Sequence, residues 1–230
     1  MTYPLEALML SMPRHGSVLD IGCLGFGPYA LARQLGRSET KHYGVDYGDL
    51  SELRPQDFVF RQSDLNQGPI PFADDQFDLV VGSHIIEHLA KPIQFFGECA
   101  RVCKPGGHIY VEAPSERSLL LPGFPFKHDS FFSLSFYDDP THAQRPWTPQ
   151  SLHRLARYYS CEPLKSGYRT SWKHRISFPL TIPFALVTRN GQLLEKACWE
   201  SLGWASYLVC KKPNDAKGMP AFRYYIPANR

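Results

Sequence analysis

The stretch Ser17–Leu31, SVLDIGCLGFGPYAL, constrains this chain more than any other. It reads as a buried strand (Val18–Ile21), a turn rich in glycine (Gly22, Gly25, Gly27), and the start of a helix. A strand that feeds a helix through glycines leaves backbone N–H groups facing a crevice. With no Cβ in the way, a nucleotide-like ligand can approach them closely. The next apolar run, Tyr43–Val45, ends at Asp46, where an acid suits ribose hydroxyls. The glycines alone do not choose between ligands; the segments downstream of them do.

The order of elements is regular up to Pro114. A short helix over Pro4–Met12 precedes the first strand, and Tyr29–Leu35 has helical spacing that Gly36 ends. Strands are predicted at His42–Asp46, Phe58–Gln62, Phe77–Val81 and His108–Ala113, with a helix over Pro92–Val102 and a turn at KPGG, Lys104–Gly107. Strands alternating with helices imply a doubly wound α/β sheet, with ligands at the carboxyl ends of its strands. The rhythm then stops. Pro114–Pro149 is too long and too aromatic for a simple connection, and loops of that length are usually functional. Thr148 caps a helix that runs to Tyr159, with Pro149 at its first position. Two closing strands are read at Pro163–Trp172 and Ala205–Lys211, separated by an insertion, Lys173–Gly203.

A chain of 230 residues suits one large domain, here residues 1–213 with insertions at 114–149 and 173–203 and a peripheral tail, 214–230. A net charge of +3 does not argue for nucleic acid. The six cysteines, mostly in apolar runs, show no paired or zinc-type spacing, so they read as buried reduced thiols of a cytoplasmic protein. No signal peptide is read at MTYPLEALMLSMPRHG, and no apolar run spans a membrane. The nearest, Ile176–Val187, is broken by Pro179 and Pro183; it reads as a loop or short helix packed on the domain, or as a peripheral membrane contact.

Five pieces in order, VLDIGC, YGVD, SDL, PIPFADDQFDLVVGSHIIEHL and RVCKPGGHIYVEAP, resemble the class I S-adenosylmethionine-dependent methyltransferases, in the broad subgroup of ubiquinone- and glycan-pathway enzymes. The resemblance covers Val18–Pro114, and ASYLVCKKP looks like the family's last strand. It implies a Rossmann-like, doubly wound, mostly parallel seven-stranded sheet with an antiparallel last strand, in a three-layer sandwich. It also implies S-adenosylmethionine as cofactor, with S-adenosylhomocysteine as product. Asp20 then orders the turn and reaches the cofactor's amino-acid end, and Gly22, Cys23 and Gly25 line it. Asp46 holds the ribose with Tyr47 beside it, Asp64 and the Leu65 amide meet the adenine, and Ser83 and His84 lie beside the sulfonium. The family commonly has Gly after the cysteine, and this chain has Leu24. Either Leu24 replaces that glycine, or one residue is inserted and the turn re-forms around Gly25 and Gly27.

A small-molecule or glycan acceptor, methylated on oxygen, calls for a base or a steering cation. The segment DDPTHAQRPWTPQSL resembles segments of glycan-pathway methyltransferases. His142 with Asp139 and His84 are the candidate catalytic groups, and Arg145 and Trp147 the candidate acceptor contacts. No metal is assigned, and His88 reads as a structural partner. The aromatic cluster Phe124–Trp147 reads as a lid or a satellite core. Two other readings stand beside methyl transfer: a non-catalytic scaffold or sensor, and a dinucleotide oxidoreductase suggested by Gly25-x-Gly27-x-x-Ala30. The second leaves SDL and KPGG unexplained. Nucleic-acid methylation is not expected, because the fourth strand does not lead into an Asp/Asn-Pro-Pro-aromatic run.

Overall fold

A computed structural model describes residues 3–126 and 132–214. Seven strands form one sheet in the order β3-β2-β1-β4-β5-β7-β6. They are β1 (Ser17–Ile21), β2 (Lys41–Asp46), β3 (Phe58–Gln62), β4 (Phe77–Ser83), β5 (Cys103–Pro114), β6 (Glu162–Tyr168) and β7 (Ala205–Lys211). Neighbouring strands from β3 to β5 pair in parallel, and β7 runs antiparallel to both β5 and β6. The expected mixed sheet with an antiparallel last strand is the one found.

The alternation of side chains along each strand explains the three layers. Leu19, Val80, Ile109, Val111, Leu208 and Cys210 point to one face. There they meet α3 (Pro92–Val102) through Phe95, Phe96, Cys99 and Val102, and α4 (Pro149–Tyr158) through Leu152, Leu155 and Ala156. Val18, Leu79, Val81, Tyr110 and Val209 point to the other face, covered by α1 (Pro4–Ser11) and α2 (Gly27–Gln34). Central strands apolar on both sides are thus buried on both sides. All six cysteines are buried and unpaired.

Two expectations need correction. β6 ends at Tyr168 rather than running to Trp172, because the chain turns away at Ser171, whose N–H donates to the Glu200 carbonyl. Ile176–Val187, expected as a loop or short helix, is part of a longer one, and the insertion Lys173–Gly203 is helical through most of its length. It holds α5 (Trp172–Val187), which keeps its course through Pro179 and Pro183, and α6 (Gly191–Leu202). Both insertions pack on each other. Leu134 with Phe124 and Phe126 meets Ala185, Leu194 and Cys198 in a satellite core. The Trp199 and Trp204 indole N–H groups donate to the Ser133 and Leu134 carbonyls. Of the aromatic cluster, Phe131 lies outside the described residues, as does the tail beyond Asn214.

Candidate functional site

The turn after β1 explains the odd position of Leu24. Its side chain is 74% exposed. Gly25 takes φ +86° with open space where a Cβ would stand, the Phe26 N–H donates to the Cys23 carbonyl, and α2 starts at Gly27. The turn is formed around Gly25 and Gly27, with Leu24 as an outward residue. Gly22, at φ +73°, lies with its Cα facing Ile85. The Cys23 side chain leaves the crevice altogether. It packs with Leu50 and Phe58, and burial pushes its thiol up to about 12. Only its main chain remains to meet a ligand. Gly44 makes room for that sulfur, since a Cβ there would stand 2.6 Å from Cys23 Sγ and from the Phe58 ring.

The carboxyl ends of the first four strands carry the other candidates. Asp20 pairs in register with Gly44 on β2 and Val81 on β4, so it sits in the middle of the sheet. Its carboxyl is buried, and no hydrogen bond reaches it among the described residues. Burial, then the charge of Asp46, push its pKa well above the ordinary value. Asp46 ends β2 half-buried, and its Oδ1 accepts from the Gly48 N–H at 3.0 Å. Tyr47 is 77% exposed. Asp64 is occupied in its own turn, accepting from the Asn66 N–H and the Gln67 side chain, each at 2.9 Å. Leu65 packs against the main core, and Ser83 closes β4 in register with Glu112.

Beyond Ser83 the backbone takes a left-handed step at His84, φ +53°, which aims the imidazole between two buried carboxylates. Its Nδ1 lies 3.3 Å from Glu87 Oε1 and its Nε2 3.2 Å from Glu112 Oε1. Burial works against the charge, but hydrogen bonds to Glu112 and Glu87 win and hold the imidazole at about 10. It is a fixed cation at neutral pH and has no lone pair with which to act as a base. Glu112 is a hub. It also accepts from the hydroxyls of Tyr3 and Tyr110 and from Arg169 Nη1 at 3.0 Å. Burial would raise its carboxyl, yet His84 and Arg169 bring it down to about 2. The rings of Trp199 and Trp204 stack 4.0 Å apart, with centroids 5.5 and 5.7 Å from His84. The second insertion therefore reaches this centre.

The later part of the first insertion is held against the exit of β4. The Glu87 carbonyl accepts the N–H groups of Ala143 and Gln144, at 2.9 and 3.1 Å. His142 gives Nδ1 to the Phe136 carbonyl at 2.7 Å, and its Nε2 stands 3.8 Å from Asp139 Oδ2. Burial raises Asp139, but hydrogen bonds from Thr141 and the nearby imidazoles bring it below its ordinary value. His142, Asp139 and Arg145 line one cleft of about 540 Å³ with Phe136 and Tyr137. Trp147 does not. It is 5% exposed and sits in the main core.

A family model described as a methyltransferase domain matches residues 19–111, the span from β1 to β5 that carries this geometry. Over that span the chain is similar to the class I S-adenosylmethionine-dependent methyltransferases. The chain is 25% identical over 217 residues to a protein of Oryza sativa subsp. japonica named "Probable tocopherol O-methyltransferase, chloroplastic", covering 90% of this chain and 58% of that one. It is 26% identical over 166 residues to the demethylmenaquinone methyltransferase of Tropheryma whipplei, covering 70% and 60%. The chain thus spans about six-tenths of the length of these curated relatives. A SAM-dependent methyltransferase from Archaeoglobus fulgidus shares the fold, with TM-score 0.57, 23% identity and 86% coverage of both chains.

The family's cofactor is S-adenosylmethionine. The turn after β1 fits that molecule. A buried carboxylate without a hydrogen bond, Asp20, wants a cation, and the cofactor carries an ammonium and a sulfonium. The open face of Gly25 leaves room for close approach.

Sequence reasoning overlooked Glu112, Arg169, Trp199, Trp204 and the use of Glu87. A charged residue inside the apolar run IYVEAP was the one available signal for Glu112. Arg169 follows β6, Trp199 lies on α6 and Trp204 stands just before β7, and no local pattern announces that they meet.

Proposed function

We propose that this domain transfers a methyl group from S-adenosylmethionine to an oxygen of a small-molecule or glycan acceptor. The observation that carries the reading is the buried, uncompensated Asp20 beside an open glycine turn, at the carboxyl ends of parallel strands. Asp20 with the main chain of Gly22, Cys23 and Gly25 would hold the amino-acid end, Asp46 and Tyr47 the ribose, and Asp64 and Leu65 the adenine. When bound, the cofactor supplies an electrophilic methyl on a positive sulfur, so alignment and exclusion of water supply much of the rate. Ser83 borders that position. The acceptor would lie in the cleft lined by His142, Asp139 and Arg145, where Arg145 steers an anionic group and Nε2 of His142 meets the acceptor oxygen. His84 acts here as a fixed cation that positions Glu87 and Glu112.

Calorimetry with S-adenosylmethionine and S-adenosylhomocysteine tests the first half of this reading, and binding of neither would favour the scaffold. His142→Gln is expected to lower turnover at saturating cofactor by roughly 10²-fold, within the range for loss of a positioned acid–base or orienting group. Cofactor affinity should stay unchanged. Full turnover in that variant removes His142 from the reaction.

One face of α5 is apolar and exposed. Along α5, Trp172, Ile176, Leu180 and Phe184 stand exposed at 62, 72, 80 and 60%. Their spacing of four residues makes one ridge, flanked by the exposed cations Lys173, Arg175 and Arg189. No helix among the described residues is long and apolar enough to cross a membrane. A ridge of this kind suits an interface lying on an anionic bilayer. The chain is expected to sediment with vesicles containing phosphatidylserine and to lose that binding in Ile176→Ser/Leu180→Ser. Equal sedimentation of the double variant would dismiss the contact.

A further inference from the structure

We infer that Glu87, His88 and His142 form a binding site for one divalent transition-metal ion. A ligand atom from each of the three lies within 4.8 Å of the others. Glu87 and His88 come from the short 3-10 turn Ile86–His88 after β4, and His142 from the far side of the first insertion. The two stretches are fixed on each other by the paired N–H groups of Ala143 and Gln144 on the Glu87 carbonyl.

The partners of both imidazoles fix which nitrogen carries the proton in the neutral ring. His142 Nδ1 faces the Phe136 carbonyl, which only accepts, so Nδ1 carries the proton and Nε2 the lone pair. His88 Nδ1 faces the Thr141 carbonyl at 3.3 Å and the Thr141 hydroxyl at 3.0 Å. That hydroxyl spends its own proton on Asp139 Oδ1 at 2.6 Å, so it too accepts from His88. Again Nε2 is left as a lone pair. Two histidines that each donate Nδ1–H to a backbone carbonyl and hold Nε2 free have the outer-shell arrangement of metal-ligating imidazoles.

An independent observation points to the same place. The Glu87 side chain is 1% exposed, and while Oε1 meets His84, Oε2 is buried with no hydrogen-bond partner among the described residues. A buried carboxylate oxygen left unpaired is costly, and such atoms ask for a water or an ion. Asp139 Oδ2, 3.8 Å from His142 Nε2, is a second oxygen within reach, and with Glu87 it would balance a double positive charge.

Two imidazole nitrogens and a carboxylate suit zinc, manganese, cobalt or ferrous iron more than magnesium or calcium. Ligands at 2.0–2.2 Å from an ion stand about 3.4 Å apart, so closing on it needs side-chain shifts on the order of 1 Å. Three protein ligands leave a position open, and His142 also lines the acceptor cleft. On the proposed methyl-transfer reading, with the ion bound, His142 Nε2 would hold the ion rather than the acceptor oxygen. The ion would supply the Lewis acidity that lets an acceptor hydroxyl at the open position release its proton to solvent water.

Metal binding is tested on the untagged chain, stripped by chelator, with neither cofactor nor acceptor present. Titration with Zn²⁺, Mn²⁺ and Co²⁺, read by elemental analysis after dialysis and by the visible spectrum of Co²⁺, is expected to give one ion per chain. Affinity should fall at least 10²-fold in His88→Gln and in His142→Gln, with Mg²⁺ competing poorly. Circular dichroism shows that each variant folds, and the half-buried His88 serves if Glu87→Gln does not. No stoichiometric binding, or binding indifferent to both histidine substitutions, overturns the site. Cofactor calorimetry on the stripped chain separates that failure from failure of the methyl-transfer reading.

Discussion

Glu112→Ala is expected to cost folding stability on the order of 3–5 kcal/mol, read as a shift in the urea midpoint. The carboxylate is fully buried and faces His84, Arg169 and two tyrosine hydroxyls. Removing it leaves the His84 and Arg169 cations with half their compensation, and burying uncompensated charge is among the largest single-site penalties. The pH dependence of the wild type comes from the same cluster. Glu112 is depressed to about 2, so its contribution is present above the ordinary carboxyl range and is lost as pH falls through about 2. His84 is raised from 6.5 to about 10, so its contribution is complete below 6.5 and is lost as pH rises through about 10. An alkaline decline in stability between about pH 7 and 10 is therefore expected in the wild type and absent in His84→Gln. An unchanged alkaline limb in that variant would show that another group is responsible.

Asp46→Ala is expected to weaken S-adenosylmethionine binding by roughly 10²-fold. On the proposed reading its carboxylate accepts two hydrogen bonds, each worth about 1.5 kcal/mol or more when the acceptor is charged, and 1.4 kcal/mol is tenfold in affinity. The Gly48 N–H already fixes its orientation at 3.0 Å. Thermal stability should hardly move, because Asp46 is half-exposed and bears no ion pair among the described residues. Calorimetry on the variant decides, and an unchanged dissociation constant rejects the assignment. Asp64 is a poorer test. Its two oxygens already brace their own turn, so its loss mixes local unfolding with lost contact.

The central strands were legible because they are covered on both faces, which forces continuous apolar runs such as VLDI and FDLVV. β6 was harder. It lies at the edge of the sheet with Leu164 and Lys165 exposed, and PLKSG carries little strand signal. α5 was hidden by its two prolines, which usually end a helix. In the site, the residue types at the strand ends were readable from order and spacing, but conformation was not. Spacing left two places for Leu24, and the positive φ at Gly25 separates them. The partners of His88, Thr141 and His142, come from more than fifty residues away and only the fold brings them near.

The hub at Glu112 has a consequence for how the molecule assembles. Its partners arrive from sequence separations of 28, 57 and 109 residues, through His84, Arg169 and Tyr3. A carboxylate cannot be taken out of water by instalments; until all of them arrive, hydration is its better partner. The centre of the molecule is therefore expected to close late, joining α1, the β4 exit and the end of β6. Such long-range closure favours slow and highly cooperative folding, with no partly formed version of the site.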